Sequence, residues 1–194
     1  MKLSTDSKEG QRVVALLCAT FSENKSVRGL VGEGRGMQKR LIGLMEYALA
    51  ACLEFGEVWL SDELDACALV LFKDRKSVSL KSLLRDVQFV FNVVGLRNIK
   101  KVIRKQQLID RAQAETLNGS LAAYLWFIGV DTEVQGLGKG TALLKKLLAQ
   151  YSQNNRIIIL ETSTQANLPF YECLGFSIYH KVDVGYPLYF LKAR

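Results

Sequence analysis

The sequence is poorest in the residue types that build metal centres and cross-links. Among 194 residues there is one histidine, His180, and there are four cysteines, Cys18, Cys52, Cys67 and Cys173, scattered through apolar segments without CxxC spacing. This pattern excludes the common zinc arrangements, so no metal is expected, and the thiols read as reduced core residues. Long apolar runs are missing as well. The longest, Leu121 to Val130, is half the roughly 20 residues that a bilayer-spanning helix needs. Met1 to Gly10 is too polar for a secretory leader. A cytoplasmic protein without a membrane partner is the expectation.

Against these absences stand 49% hydrophobic residues, only two prolines and enough length to bury a sizeable core, so residues 1–194 are expected to form a single domain. The net charge of +7 suits a protein that must attract an anionic ligand. Part of that charge is concentrated in Arg97, Lys100, Lys101, Arg104 and Lys105, which recur at helical spacing opposite Leu96, Ile99, Val102 and Ile103. The spacing predicts an amphipathic helix whose basic face is solvated and whose other face covers core. Nucleic acid is the less favoured partner, because the segment lacks the interleaved aromatics that base stacking uses.

Periodicity places two helices first, one marked by Val13, Leu16, Leu17 and Phe21 and one by Leu41, Leu44, Met45, Ala48 and Cys52. Between them Asn24 to Gly36 carries four glycines with Lys25, Arg28, Glu33 and Arg35, and reads as a charged loop, either a substrate lid or an exposed connection. Glu57 to Leu60 and Ala66 to Phe72 predict an antiparallel strand pair turning around Ser61 to Asp65. A helical insertion of about 79–118 follows. Its Val87, Phe89, Val90, Phe91, Val93 and Val94 are too apolar for a surface loop; packing on a sheet is favoured over lining a cavity. The remainder alternates: strand 122–130, helix 138–151, strand 156–160, short helix 168–174, and strands 176–182 and 188–191. Leu144, Leu147, Leu148 and Tyr151 form the core face of the first of those helices. The sum is an α/β fold, α+β in some schemes, with a mixed sheet and helices on its faces.

The glycine cluster Gln135-Gly136-Leu137-Gly138-Lys139-Gly140 lies between that strand and that helix. In such a turn successive N–H groups and the positive end of a helix dipole converge on an anion, and glycine allows its close approach. Two better-known phosphate loops fail on spacing. A P-loop needs glycine where Glu133 stands and Ser or Thr where Gly140 stands. A GxGxxG fingerprint needs its third glycine at Thr141 or Leu143. What fits is Q-x-x-G-x-G, followed downstream by Leu160-Glu161-Thr162-Ser163, Asn167-Leu168-Pro169-Phe170-Tyr171-Glu172 and Leu174-Gly175-Phe176.

On these segments the chain resembles the GCN5-related N-acetyltransferase (GNAT) superfamily, over about 122–184. Within it the wording is most similar to puromycin N-acetyltransferase-like enzymes, which share L-E-T-S, N-L-P-F-Y-E, L-G-F, the pair Val58-Trp59 and a helical insertion ahead of the cofactor strand. The resemblance implies a mixed, mostly antiparallel sheet flanked by helices, and acetyl-CoA as co-substrate. It implies that Gln135, Gly136, Leu137, Gly138, Lys139, Gly140 and Thr141 hold the pyrophosphate. It implies that Ile128, Gly129 and Val130, at the end of a strand that splays from its neighbour, pair with the pantetheine amides. Asn167 and Tyr171, four residues apart and so on one helix face, are implied to flank the cofactor. Each has a plainer alternative: Asn167 before Leu168-Pro169 can be an N-cap, Tyr171 a half-buried aromatic, Lys139 a solvated helix start, and Gly129 a bulge or close approach.

Acetyl transfer to an amine requires a free lone pair, hence a base, and a proton donor for the departing thiolate. The resemblance assigns the donor to Tyr171. Glu161, at the end of the buried run Ile157 to Leu160, is the first choice as base, ahead of Glu33 in the glycine-rich loop and His180 on a strand. The expected acceptor is a small-molecule primary amine, with a peptide or protein amine, or a non-catalytic acyl-CoA-sensing role, as alternatives. A homodimer stays open.

Overall fold

The computed structural model describes residues 3–95 and 98–193. Helix α1 (Lys8–Phe21) starts where the Ser7 side chain accepts from Gly10 N, and it buries Val13, Leu16 and Leu17 at i, i+3 and i+4 spacing. Helix α3 (Met37–Phe55) buries the expected Leu41, Leu44, Met45, Ala48 and Cys52. The intervening segment is not the expected loop. Lys25–Val31 forms helix α2, because Asn24 Oδ1 accepts from Ser26 N at 2.9 Å and Val27 N at 3.1 Å while Val27 and Val31 pack into the core. Only 32–36 remains a turn, with Gly32, Gly34 and Gly36 at positive φ.

Strands β1 (Gly56–Leu60) and β2 (Ala66–Leu71) pair antiparallel as expected, and Ser61 Oγ closes their turn by accepting from Asp65 N and Ala66 N. Beyond the insertion come β3 (Ala122–Val130), β4 (Ile157–Thr162), β5 (Phe176–Asp183) and β6 (Pro187–Ala193). The sheet order is β1-β2-β3-β4-β6-β5, and among its pairings β3–β4 is parallel while the others are antiparallel. This is the expected mixed, mostly antiparallel sheet.

Helices cover both faces. Helix α6 (Lys139–Gln153) packs Leu143, Leu144, Leu147 and Tyr151 on one face, against Leu125, Leu160 and Leu191. The other face carries α1, α2 and α3 over Phe127 and Leu69. The register β2–β3 jumps from Leu69↔Phe127 to Val70↔Leu125, leaving Trp126 as an extra residue. This bulge moves odd-numbered β3 side chains from the α6 face, where Ala123 and Leu125 pack, to the α1 face, where Phe127 packs. The bulge is therefore at Trp126, whereas Gly129 is the close approach: a Cβ there would lie 2.8 Å from Leu16 Cδ2 and 3.1 Å from Leu17 Cδ2.

The insertion comprises α4 (Leu80–Phe89), a π-helical turn (Val90–Val94) and α5 (Ile99–Leu117). Val93 and Val94 are buried, as core packing requires, but Leu83, Leu84, Val87 and Phe91 face solvent. Core packing thus holds for the end of the expected apolar run and not for its start. Helix α5 lies on the α1 face of the sheet, where Ile109 and Ala112 pack on Leu188 and Phe190. Its basic side is not simply solvated, because it forms a wall of the cleft described below. Leu96 and Arg97 lie outside the described residues. No helix among the described residues is long and apolar enough to cross a membrane.

Candidate functional site

The parallel pairing of β3 with β4 is confined to Ala122↔Ile157, Ala123↔Ile158 and Tyr124↔Ile159, although β3 runs on to Val130 and β4 to Thr162. The two strands splay from Tyr124 onward. Into the gap opens a cleft of about 1300 Å³, lined by Leu125 to Ile128, Leu160 to Thr162, Gln135, Asn167 and Tyr171, with α2 and α5 as further walls.

At the far end of β3 the chain enters the glycine turn. Gln135 Nε2 donates back to Val130 O at 3.1 Å, and Thr20 Oγ1 reaches the same carbonyl at 3.3 Å, so the strand end and the turn are tied together. Gly136 and Gly138 adopt φ of 82° and 79°, and no heavy atom stands within 4 Å of a Cβ at either, so glycine serves the backbone conformation there and not packing. Among the described residues no acceptor is paired with the N–H groups of Gly136, Gly138, Lys139, Gly140 and Thr141. These open donors stand at the start of a 15-residue helix. They fit a diphosphate. The Lys139 side chain turns away to Glu63 and Asp65, each at 3.1 Å.

Asn167 ends a 3₁₀ turn (Gln165–Asn167) with φ −85° and ψ −11°, and makes no capping hydrogen bond to α7 (Leu168–Cys173). The N-cap alternative fails because Asn167 already has helical dihedrals; its amide is exposed at the cleft. Tyr171 is 6% exposed and reaches the same cleft from α7. Its ring packs edge-on to Phe170 and Phe176, and its hydroxyl has no hydrogen-bond partner among the described residues. Burial pushes its phenol up to about 12.

Glu161 projects from β4 into the cleft and is fixed by two donors, Tyr124 Oη to Oε2 at 2.6 Å and Gln113 Nε2 to Oε1 at 2.6 Å. Gln113, 3% exposed on α5, in turn accepts from Lys73 Nζ at 2.5 Å. Burial raises the Glu161 carboxyl above the usual glutamate range, while the hydrogen bonds from Tyr124 and Gln113 and the charges of Lys73 and Lys105 pull it back. Tyr124, desolvated and beside that carboxylate, is held well above the usual phenol range and stays a donor. A carboxylate poised in this way can accept a proton from a group bound in the cleft.

The other candidate bases are not brought here. Glu33 is exposed in the turn between α2 and α3, and His180 is exposed on the edge strand β5, against Phe190; neither lines the cleft. Ile128 lines it, Gly129 packs on α1, and the Val130 carbonyl is already occupied by Gln135 and Thr20. Cys18, Cys52 and Cys67 are buried as expected, but Cys173 is exposed on the outer side of the short α7. Gln113 and Tyr124, the two donors to Glu161, belong to no sequence motif. The former is a polar residue in the stripe Ile109, Ala112, Gln113, and that anomaly was its available signal.

Residues 97–178 match the family model of the acetyltransferase (GNAT) domain. A structure described as histone acetyltransferase HPA2 and related acetyltransferase from Corynebacterium glutamicum superposes with a TM-score of 0.63 at 16% identity, over 98% of this chain and 93% of that one. Agmatine N-acetyltransferase superposes at 0.56 with 10% identity over 99% and 96%. A chain of the NatC complex bound to Gag peptide and CoA superposes at 0.54 with 14% identity over 100% and 95%. At these identities the likeness is one of fold. The chain thus carries a match to the GNAT acetyltransferase domain over residues 97–178 and shares, over its whole length, the fold of these acetyltransferases.

Proposed function

We propose that the protein is an acetyl-CoA-dependent N-acetyltransferase that acts on a primary amine of a small molecule by direct transfer in a ternary complex. The observation that carries this reading is the cleft itself, in which the splayed strands, Tyr171, Glu161 and Gln135, the first residue of the open N–H turn, meet. Bound acetyl-CoA supplies an acyl group activated as a thioester. Gly136 and Gly138 to Thr141 would hold its pyrophosphate through backbone N–H groups. The free edge of β3 and the Asn167 amide would hold the pantetheine as an added strand is held.

The acceptor nitrogen bonds to the acetyl carbon as the carbon–sulfur bond breaks, its proton passes to Glu161, and the sulfur takes a hydrogen bond from Tyr171. With the phenol at about 12 against a thiol of roughly 8.5, full proton transfer from Tyr171 would be uphill by about 5 kcal/mol, so its role is to stabilise the thiolate by donating a hydrogen bond. Direct transfer is supported because none of the four cysteines lines the cleft. A compact acceptor is supported by a polar latch over the cleft, where Lys105 Nζ on α5 donates to Ser26 Oγ on α2 at 2.7 Å and to Tyr186 Oη in the β5–β6 turn at 2.8 Å. An extended peptide would have to break it.

The test is acetyl-CoA-dependent thiol release on a panel of aminonucleosides, aminoglycosides, amino acids, polyamines and peptides, run beside a thermal shift with acetyl-CoA. Turnover of a small amine supports the reading. Stabilisation by acetyl-CoA with turnover of peptides alone would replace it with the peptide alternative, and stabilisation without any turnover with a sensor.

A further inference from the structure

We propose that the acceptor amine carries an anionic group, carboxylate or phosphate, that is bound by the cationic wall of α5. This rests on the acetyl-transfer reading and goes beyond it to the substrate class. The wall presents Lys100, Lys101, Arg104 and Lys105, joined by Lys76, and none of the five has a carboxylate partner among the described residues. The acids that share the cleft do not neutralise them. Glu23 is held by Arg28 at 2.5 Å and Asp110 by Lys73 at 2.7 Å, Asp183 accepts from Gly185 N in its own turn, and Glu161 lies on the floor.

Lys105 is the most telling of these cations. It is half-buried, yet its two partners are the neutral hydroxyls of Ser26 and Tyr186. A half-buried ammonium held only by neutral hydroxyls has no hydrogen-bonded counter-charge, and an anion from the ligand would supply one. It shares the cleft with Glu161, the proposed base, and its charge acts on that carboxyl. Two consequences follow for the acceptor. Cations around the base favour the neutral amine over the ammonium, which is the form that can attack. The same cations repel a polyamine and attract an amine whose own anion can sit against Lys105 or Arg104.

The wall is not a second contact for the cofactor pyrophosphate. The open N–H groups begin α6, which covers the sheet face of Leu125 and Leu191, whereas α5 packs on the opposite face through Leu188 and Phe190. The two anion-attracting regions lie on opposite faces of the sheet, and the cleft between the splayed strands connects them.

The experiment compares matched amines in the thiol-release assay: tyrosine against tyramine for a carboxylate, glucosamine 6-phosphate against glucosamine for a phosphate, and spermidine as polycation. The expected result is a kcat/KM for at least one anionic member about tenfold or more above its neutral partner, the size of one charge-assisted hydrogen bond, with spermidine lowest. The triple variant K100Q/K101Q/R104Q and the single variant K105Q should each bring that ratio towards one. The charge-keeping K100R/K101R/R104K should retain it, which separates charge from structure. Neutral or polycationic amines turned over as well as anionic ones, or a preference indifferent to the glutamine variants, would overturn this inference alone. Failure of acetyl-CoA to stabilise the protein, with no thiol release from any amine, would overturn the acetyl-transfer reading beneath it and this inference with it.

Discussion

The Tyr124 hydroxyl donates to Oε2 of Glu161 at 2.6 Å, and this bond joins the two strands at the point where they part. Tyr124 is the last residue of β3 that pairs with β4, so the proposed base hangs from the hinge of the splay. The bond also holds the Glu161 carboxyl below the value that burial alone would give it.

The first prediction follows from that sign. If Glu161 is the base, activity rises with pH as it ionises, with its midpoint above the usual glutamate range. Removing a hydrogen bond that favours the carboxylate raises the pKa further, so Tyr124→Phe should move the acidic limb of kcat/KM to higher pH. Glu161→Gln should lower kcat by about 10²-fold or more and abolish that limb. Stability carries the same sign. A carboxyl whose folded pKa is raised stabilises the fold most below its unfolded pKa and loses that contribution as pH climbs through the folded value, so E161Q should flatten this fall in Tm. Retention of the acidic limb in E161Q would remove Glu161 from the mechanism.

Tyr171→Phe separates hydrogen-bond donation from packing. The ring sits among Phe170 and Phe176 and the hydroxyl is unpartnered, so the variant should fold normally and keep its thermal shift with acetyl-CoA. Thiol release should fall by about 10- to 100-fold. With the phenol at about 12, Tyr171 should produce no basic limb in kcat across the neutral range. Loss of the acetyl-CoA shift together with activity would make the residue structural.

Two glycines that look alike in sequence should respond differently. An alanine Cβ at Gly129 would lie 2.8 Å from Leu16 Cδ2, so G129A should cost about 1–3 kcal/mol of stability, read as a lower Tm. At Gly138 nothing stands within 4 Å, but φ is 79°, so G138A should cost about 1–2 kcal/mol through backbone strain and raise the KM for acetyl-CoA more than that for the amine. Equal effects of both variants on acetyl-CoA KM would contradict the separation of packing from phosphate binding.

That contrast also marks how far the sequence could be read. The cofactor half was legible because each step has a local cause: period-2 burial along β3, glycines at positive φ in the turn, a leucine stripe on α6. The acceptor half was not. Lys105, Ser26 and Tyr186 are separated by 79 and 81 residues, and meet only because α5 crosses the sheet. The same crossing turns a basic face that periodicity alone assigns to solvent into a wall of the cleft. Between Asn24 and Gly36, four glycines give the segment a loop's composition, and the Asn24 cap with the Val27 and Val31 anchors that make α2 is too short a signal to stand out against it.

Helix α2 supplies the last prediction. Its seven residues are too few to be helical by propensity alone, so its order depends on its cap and its two buried valines. Asn24 Oδ1 satisfies Ser26 N and Val27 N and also accepts from Ser163 Oγ at 3.4 Å, which ties the helix start to the end of β4. Asn24→Ala should cost about 1 kcal/mol. It should also loosen Ser26 and Gly29, which line the acceptor side of the cleft, and leave the glycine turn untouched. The amine KM should therefore rise while the acetyl-CoA KM stays within about twofold, and Asn24→Ser, which restores a capping oxygen, should recover most of the loss. A rise confined to the acetyl-CoA KM would mean that α2 serves the cofactor and not the acceptor.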